Sequence, residues 1–124
     1  SLYFAASMKA RDMLEKGYFD HFSPSGASPW DFIKKAKYNY TKAGENLAID
    51  FRTSEGTHKA WMASPTHKDN ILDSNYEDIA ISAITGDFQG KETTIVVEMF
   101  GKKNATMNQI DDFIQKITNF LLGF

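Results

Sequence analysis

Residues 79–100, IAISAITGDFQGKETTIVVEMF, carry the β component of this chain. Ile79, Ile81 and Ala83 alternate with Ala80, Ser82 and Ile84, the period of two that belongs to a strand. Gly86-Asp87-Phe88-Gln89-Gly90 reads as a turn into a second strand, Glu92–Phe100. In that second strand Thr93, Ile95, Val97 and Met99 share one face, which leaves Glu98 on the other.

Outward from this hairpin the pattern is helical. Residues 2–16, LYFAASMKARDMLEK, place Leu2, Ala6, Met13 and Leu14 at helical spacing and stop at Gly17. Pro24, Gly26 and Ser28 punctuate a loop that sets His21 among aromatic neighbours. Ser28, Pro29 and Asp31 form an N-cap, a first-turn proline and an acidic third position, which predicts a short helix to about Lys37. Residues 43–49, AGENLAI, straddle a turn and the start of a regular element. Thr53 or Ser54 caps a helix reaching Ala63 with Trp61 inward, and Ser64-Pro65 restarts a second helix through Leu72, with His67 in its first turn. Asn108 and Asp111 are read as caps of a last helix, in which Ile110, Phe113, Ile114, Ile117, Phe120 and Leu121 follow the three-four spacing of an apolar stripe.

The whole is one domain of mixed helix and strand. Its 124 residues, 42% hydrophobic and 24% charged, suit a single core, and ten Phe, five Tyr and two Trp supply large rings for it. A net charge of −2 with both signs interspersed gives no electrostatic footprint for nucleic acid. Lys34, Lys35 and Lys37 read as a solvated helix face. No apolar run approaches the ~20 residues that span a bilayer, and no charged-then-apolar leader opens the chain. The absence of cysteine excludes disulfides, thiol nucleophiles and thiolate metal sites.

Three segments carry the polar chemistry: Phe19-Asp20-His21-Phe22-Ser23-Pro24, Ala43-Gly44-Glu45-Asn46-Leu47-Ala48, and Trp61 through Ser64-Pro65-Thr66-His67-Lys68-Asp69-Asn70-Ile71-Leu72. In this order and spacing they resemble the CAP superfamily (the SCP domain of cysteine-rich secretory, antigen 5 and pathogenesis-related proteins) in its cysteine-free bacterial form, over roughly residues 2–101. The resemblance implies an α+β fold, an α-β-α sandwich, with a cleft of two His and two Glu side chains in an extracellular or cell-envelope protein. His21 matches the family's first histidine, and Glu45 the glutamate of its Gly-Glu-Asn motif. Where the second glutamate is expected this chain has Ser64 or its neighbours. Where the second histidine is expected it has Asn75-Tyr76-Glu77-Asp78. His67 lies in the segment resembling bacterial members and is a candidate to bring an imidazole to the same cleft.

Family domains open with a helix ahead of the one matching residues 2–16. The expectation is therefore a CAP-like domain over 1–103 and an added C-terminal helix, within 104–124, packed on the same core in the vacated place. Phe113, Ile117 and Phe120 would enter that core, with packing against another chain as the alternative.

Physical chemistry gives the same residues a role of their own. A first-turn histidine faces the positive end of the helix dipole, which disfavours imidazolium, so His67 is expected to be neutral. His21, Glu45 and His67 together form the ligand set of an open site for a divalent metal such as zinc. They are equally readable as structure: Glu45 satisfying backbone donors in a turn, His21 a packed ring, His67 a capping or solvated residue. His58 reads as surface, Asn70 as a buried hydrogen-bonding residue, and Glu98 as facing either the cleft or outward. The functional readings are a cell-surface module binding a lipid, cell-wall or protein ligand; a metal-assisted or acid–base hydrolase with Glu45 as base; and a structural or protein-interaction domain. No nucleophile elbow or Ser-His-Asp pattern supports covalent catalysis.

Overall fold

The structure, a computed structural model, describes residues 1–123. In chain order these form α1 (Leu2–Lys16), α2 (Pro29–Lys35), β1 (Tyr40–Ile49), α3 (Ser54–Met62), α4 (Pro65–Leu72), β2 (Asp78–Phe88), β3 (Lys91–Lys103) and α5 (Ala105–Leu122). The strands make an antiparallel sheet in the order β1-β3-β2, with α1 and α2 on one side and α3 and α4 on the other: an α+β, α-β-α sandwich.

Local chemistry explains most boundaries. Gly17 ends α1 in the left-handed conformation, with its N–H bonded to the Met13 carbonyl. Ser28 and Asp31 form a reciprocal capping box at α2, and Thr53 accepts from the Gly56 N–H at α3. The β2–β3 turn is tighter than the five-residue turn expected from the glycines. The ladder runs on to Phe88 opposite Lys91, and only Gln89 and Gly90, at φ 53° and 87°, make the reversal. Two consecutive positive φ values are what a two-residue hairpin of right-handed twist requires. Residues 43–49, read from sequence as a turn entering something regular, are strand throughout, because β1 pairs along its length with β3.

The main core lies between the sheet and α1. Ala5, Ala6, Ala10 and Met13 of α1 and Ile95, Val97 and Met99 of β3 are all fully buried, joined by Ile33 of α2. The small alanines let the helix backbone approach the sheet closely. The opposite face has a smaller apolar cluster of Ala48, Trp61 and Val96, and the Trp61 indole N–H donates to the Leu47 carbonyl at 2.9 Å, tying α3 to β1.

The last helix departs from expectation at both its start and its packing. Its cap is Asn104, whose side chain accepts from the Met107 N–H, so α5 begins earlier than Asn108. No residue of α5 is buried; Phe113, Ile117 and Phe120, expected in the core, are 64%, 43% and 85% exposed. The physical reason is connectivity. β3 continues to Lys103, a single residue separates it from α5, and the Asn104 N–H donates to the Asn39 carbonyl, which leaves no slack for the helix to double back over the sheet.

Candidate functional site

The free edge of β1 organises the polar residues. Alternation along that strand sends Glu45 to the α1 side with Leu47 and sends Asn46 to the α3/α4 side with Ala48. Residues from both sides therefore meet at this edge. They line a cleft of about 310 Å³ that includes His21, Phe22, Trp30, Gly44, Glu45, Asn70 and Tyr76.

On the α1 side, the Glu45 side chain is almost wholly buried while that of His21 is half exposed, and His21 Nδ1 lies 2.7 Å from Glu45 Oε1. The second carboxylate oxygen, Oε2, is buried without a hydrogen-bond partner. Burial raises the Glu45 pKa above the ordinary carboxylate value, against the opposing pull of His21 and of the Lys9 charge. The hydrogen bond that its ring makes to the Glu45 carboxylate raises the pKa of His21. Both shifts favour proton retention at the pair, in which a buried carboxyl group faces an accessible ring.

Beneath the pair lies Lys9, fully buried, with Nζ donating to the His21 carbonyl at 2.6 Å and packed over the rings of Tyr18 and Phe32. Tyr18 in turn donates to Asp12 at 2.5 Å. Lys9 thus fixes the backbone that carries His21. Sequence reasoning missed it, although a signal existed: Lys9 stands three residues after Ala6 and four before Met13, inside the apolar stripe of α1.

On the other side, Asn46 is fully buried and is the hub of a network. Its Nδ2 donates to the His67 carbonyl at 3.1 Å and to Glu98 Oε1 at 3.0 Å, and its Oδ1 accepts from Asn70 at 2.9 Å. Asn70 also donates to the Glu45 carbonyl at 3.3 Å, the hydrogen-bonding role expected of it, although it is half-buried rather than buried. Glu98 is buried on this face rather than pointing outward, and burial raises its pKa. Gly44 has a steric reason. The Tyr76 hydroxyl lies 2.5 Å from where a Cβ would stand, and the Tyr76 ring, stacked on Phe100, forms part of the cleft wall.

His67 stands in the first turn of α4 beside this network, with Nδ1 2.8 Å from Ser64 Oγ. Ser64 occupies the N-cap position, but its hydroxyl serves His67 instead of a backbone N–H. The His67 pKa is lowered, by burial first and then by the charge of His21, so a neutral ring is favoured. His58 is exposed and lies on a different groove, against α3.

The structure thus joins His21 to Glu45 directly, whereas His67, tied to Ser64, is not among the residues that line their cleft. A three-donor metal set does not fit this arrangement. His21 Nδ1 and Glu45 Oε1 face each other, and among the described residues no group of three His, Asp or Glu side chains is disposed to hold a metal ion.

Comparison with known proteins bears on most of the chain. The family profile described as the cysteine-rich secretory protein family, CAP, matches residues 1–100. The uncharacterized protein YkwD of Bacillus subtilis is 42% identical over 80 residues, covering 64% of this chain and 31% of its own length. The uncharacterized membrane protein YlbC of the same organism is 28% identical over 72 residues, covering 58% and 21%. The chain therefore spans less than a third of the length of these relatives. Among solved structures, an extracellular SCP-domain protein from Bacillus anthracis superposes with a TM-score of 0.66 at 23% identity, covering 80% of this chain and 30% of that one. An outer surface protein of Borrelia burgdorferi superposes with a TM-score of 0.68 at 23% identity, covering 83% and 74%.

Proposed function

The chain belongs to the cysteine-rich secretory protein (CAP) family, and from that premise we propose that it is an extracellular or cell-envelope module whose cleft at the β1 edge binds a ligand through His21. The observation that carries this reading is the buried Glu45 carboxylate bonded to the half-exposed ring of His21. A carboxylate is costly to bury, and one held against an accessible imidazole presets that ring's orientation and proton. The exposed rings of Phe22 and Trp30 flank the pair and offer apolar contact to a lipid, cell-wall or protein ligand. The extracellular placement is supported by the two structural neighbours, one an extracellular protein and the other an outer surface protein. No helix of the described residues is long and apolar enough to cross a membrane.

The same pair supports acid–base hydrolysis as a second reading. A carboxylate that orients an imidazole is the arrangement by which a histidine takes a proton from water or a leaving group. Glu45→Gln separates the possibilities, because it keeps the size of the side chain and removes its charge. In a binding module, a thermal-shift screen of cell-wall fragments, lipids and peptides finds a stabilising ligand that the variant no longer responds to, with no turnover by the parent protein. In a hydrolase the variant stays folded and loses turnover. Loss of melting temperature alone, with neither ligand nor turnover, would make the pair structural. Zinc added at pH 7.5 and 5.5 tests the metal reading, since imidazole ligands must be deprotonated: stabilisation at the higher pH only would mean that the donors rearrange around the ion.

A further inference from the structure

Beside the β1-edge cleft lies a second, smaller hollow, and Trp30 lines both. The hollow, about 230 Å³, is formed by the rings of Tyr38 and Tyr40 together with Asn39 and Asn104. At about 310 Å³ the cleft stands at the lower limit of the ~300–1,000 Å³ that ligand sites usually occupy, and the hollow stands below it. Neither alone suits a large ligand. Joined across the Trp30 ring, which is 38% exposed, they suit one that is extended.

The cleft offers hydrogen-bonding groups and flat rings, and little free charge. Gly44 leaves its floor open: where a Cβ would stand, the Tyr76 hydroxyl is 2.5 Å away and Asn70 Oδ1 is 3.3 Å away. Asn70 directs its Nδ2 to Asn46 and to the Glu45 carbonyl, which leaves Oδ1 to accept from a ligand. Glu45 adds Oε2, buried without a partner on a side chain that is 1% exposed. Such an atom is costly until something bonds it. Among the described residues no Lys or Arg lines the cleft. His21 is taken up by Glu45, and Lys42, over the Tyr76 ring, is paired with Asp73. A phosphate or a fatty-acid carboxylate would therefore meet no free cation here.

The hollow has the same character. Its Tyr38 ring is held in place by the hydroxyl, which donates to Asp78 at 2.6 Å. The charges on its rim, Asp31 and Lys34, are of opposite sign, and Asp31 is engaged in the capping box of α2. A pyranose ring turns an apolar face of C–H groups to an aromatic plane and a rim of hydroxyls to donors and acceptors, which is the combination found on both sides of Trp30. Resting on the reading of the cleft as a binding site, we propose that cleft and hollow are two subsites of one groove for a neutral glycan chain, with Trp30 as the platform between them. Glu45, Asn70 and Tyr76 hold the hydroxyls of one sugar, and Tyr38 and Tyr40 flank the next.

Titration calorimetry with chitotetraose and cellotetraose, neutral chains with and without acetamido groups, tests the proposal on the parent chain and on Trp30→Ala, Tyr40→Ala and Glu45→Gln. Far-UV circular dichroism verifies that each variant is folded, and Trp30→Phe replaces the alanine variant if that one unfolds. The expected result is binding of at least one tetrasaccharide, weakened about tenfold by loss of either ring and also weakened by Glu45→Gln. Binding of chitotetraose alone would add that the groove reads the acetamido group. Absence of binding by both overturns the proposal, as does binding indifferent to Trp30. Binding that needs Glu45 but not Tyr40 overturns it too, since the hollow is then no subsite. If neither glycan binds while a peptide or phosphatidylglycerol vesicles stabilise the parent and not Glu45→Gln, the glycan assignment falls and the cleft stands as a binding site. If no probe stabilises the parent, both fall.

Discussion

On the α1 side of the sheet, Ile95, Val97 and Met99 of β3 meet Ala6, Ala10 and Met13 in a closed apolar layer. On the α3/α4 side, the neighbouring residues of the same strand, Val96, Glu98 and Phe100, meet one tryptophan, a hydrogen-bonded network around Asn46 and the ring of Tyr76. A strand buried on both faces can thus be held by close packing on one and by polar satisfaction on the other. Packing is tolerant of what comes next in the chain; a polar network is not, because each member is costly when its partner is lost. The site residues sit where the two regimes meet, at the β1 edge.

The comparison is broken most readily by cavities. Met13→Ala and Ile95→Ala, on the closed side, should each cost about 2–5 kcal/mol in denaturant unfolding. Ile81→Ala, half exposed on β2, should stay within about 0.5 kcal/mol. Equal costs would mean that Ile81 is covered in solution.

The polar side is sharpened by Asn46→Ala. It removes partners from Glu98, from Asn70 and from the His67 carbonyl at once, and should cost about 2–3 kcal/mol, since leaving a buried polar group unsatisfied costs about 1–3 kcal/mol. Unlike a core truncation, it should also disturb the polar network, seen as a changed environment of the His67 ring in NMR. A loss of stability with unchanged His67 signals would refute the hub role. Gly44→Ala probes the same edge sterically. The Tyr76 hydroxyl must move, at a cost of about 1–3 kcal/mol typical of overpacking, and Tyr76→Ala in the same chain should relieve most of that cost in a double-mutant cycle. Independent, additive effects would contradict the close approach.

The smallest effects concern protons. His21 binds a proton more tightly folded than unfolded, so its contribution is fully present below its unfolded pKa of about 6.5 and is lost as pH rises through the raised folded value. His67 binds its proton less tightly when folded, so it costs stability as pH falls below about 6.5. Melting temperature followed from pH 5 to 9 should therefore lose its decline on the alkaline side in His21→Gln and its decline on the acid side in His67→Gln. Both rings are solvent-accessible, which keeps each effect small, and the reverse pattern would refute the assigned directions.

Much of the site was legible because its residue types are unusual for their positions: a carboxylate beside a glycine in an apolar segment, and a histidine among phenylalanines. Lys9 went unread although it interrupts an apolar stripe, because a lysine on a helix is ordinarily at the surface and only the carbonyl of His21 reveals why this one is not. Glu98 read as two-sided because alternation tells which residues share a face but not what covers it.

What the amino-acid sequence determined by itself was local. Capping at Ser28 and Thr53, the stop at Gly17, the alternation of β2 and the three-four stripe of α5 all follow from interactions within a few residues, whose energetics are nearly the same in any fold. The tertiary structure alone decided that residues 43–49 are strand, because β3 supplies their hydrogen bonds. It decided that Glu45 lies under His21, because the β1 edge brings two distant loops together. It also decided that α5 stands off the core, because a single residue after a long strand leaves the helix no room to turn back. Each of these depends on partners far apart in sequence, and no periodicity within a segment encodes which partner will arrive.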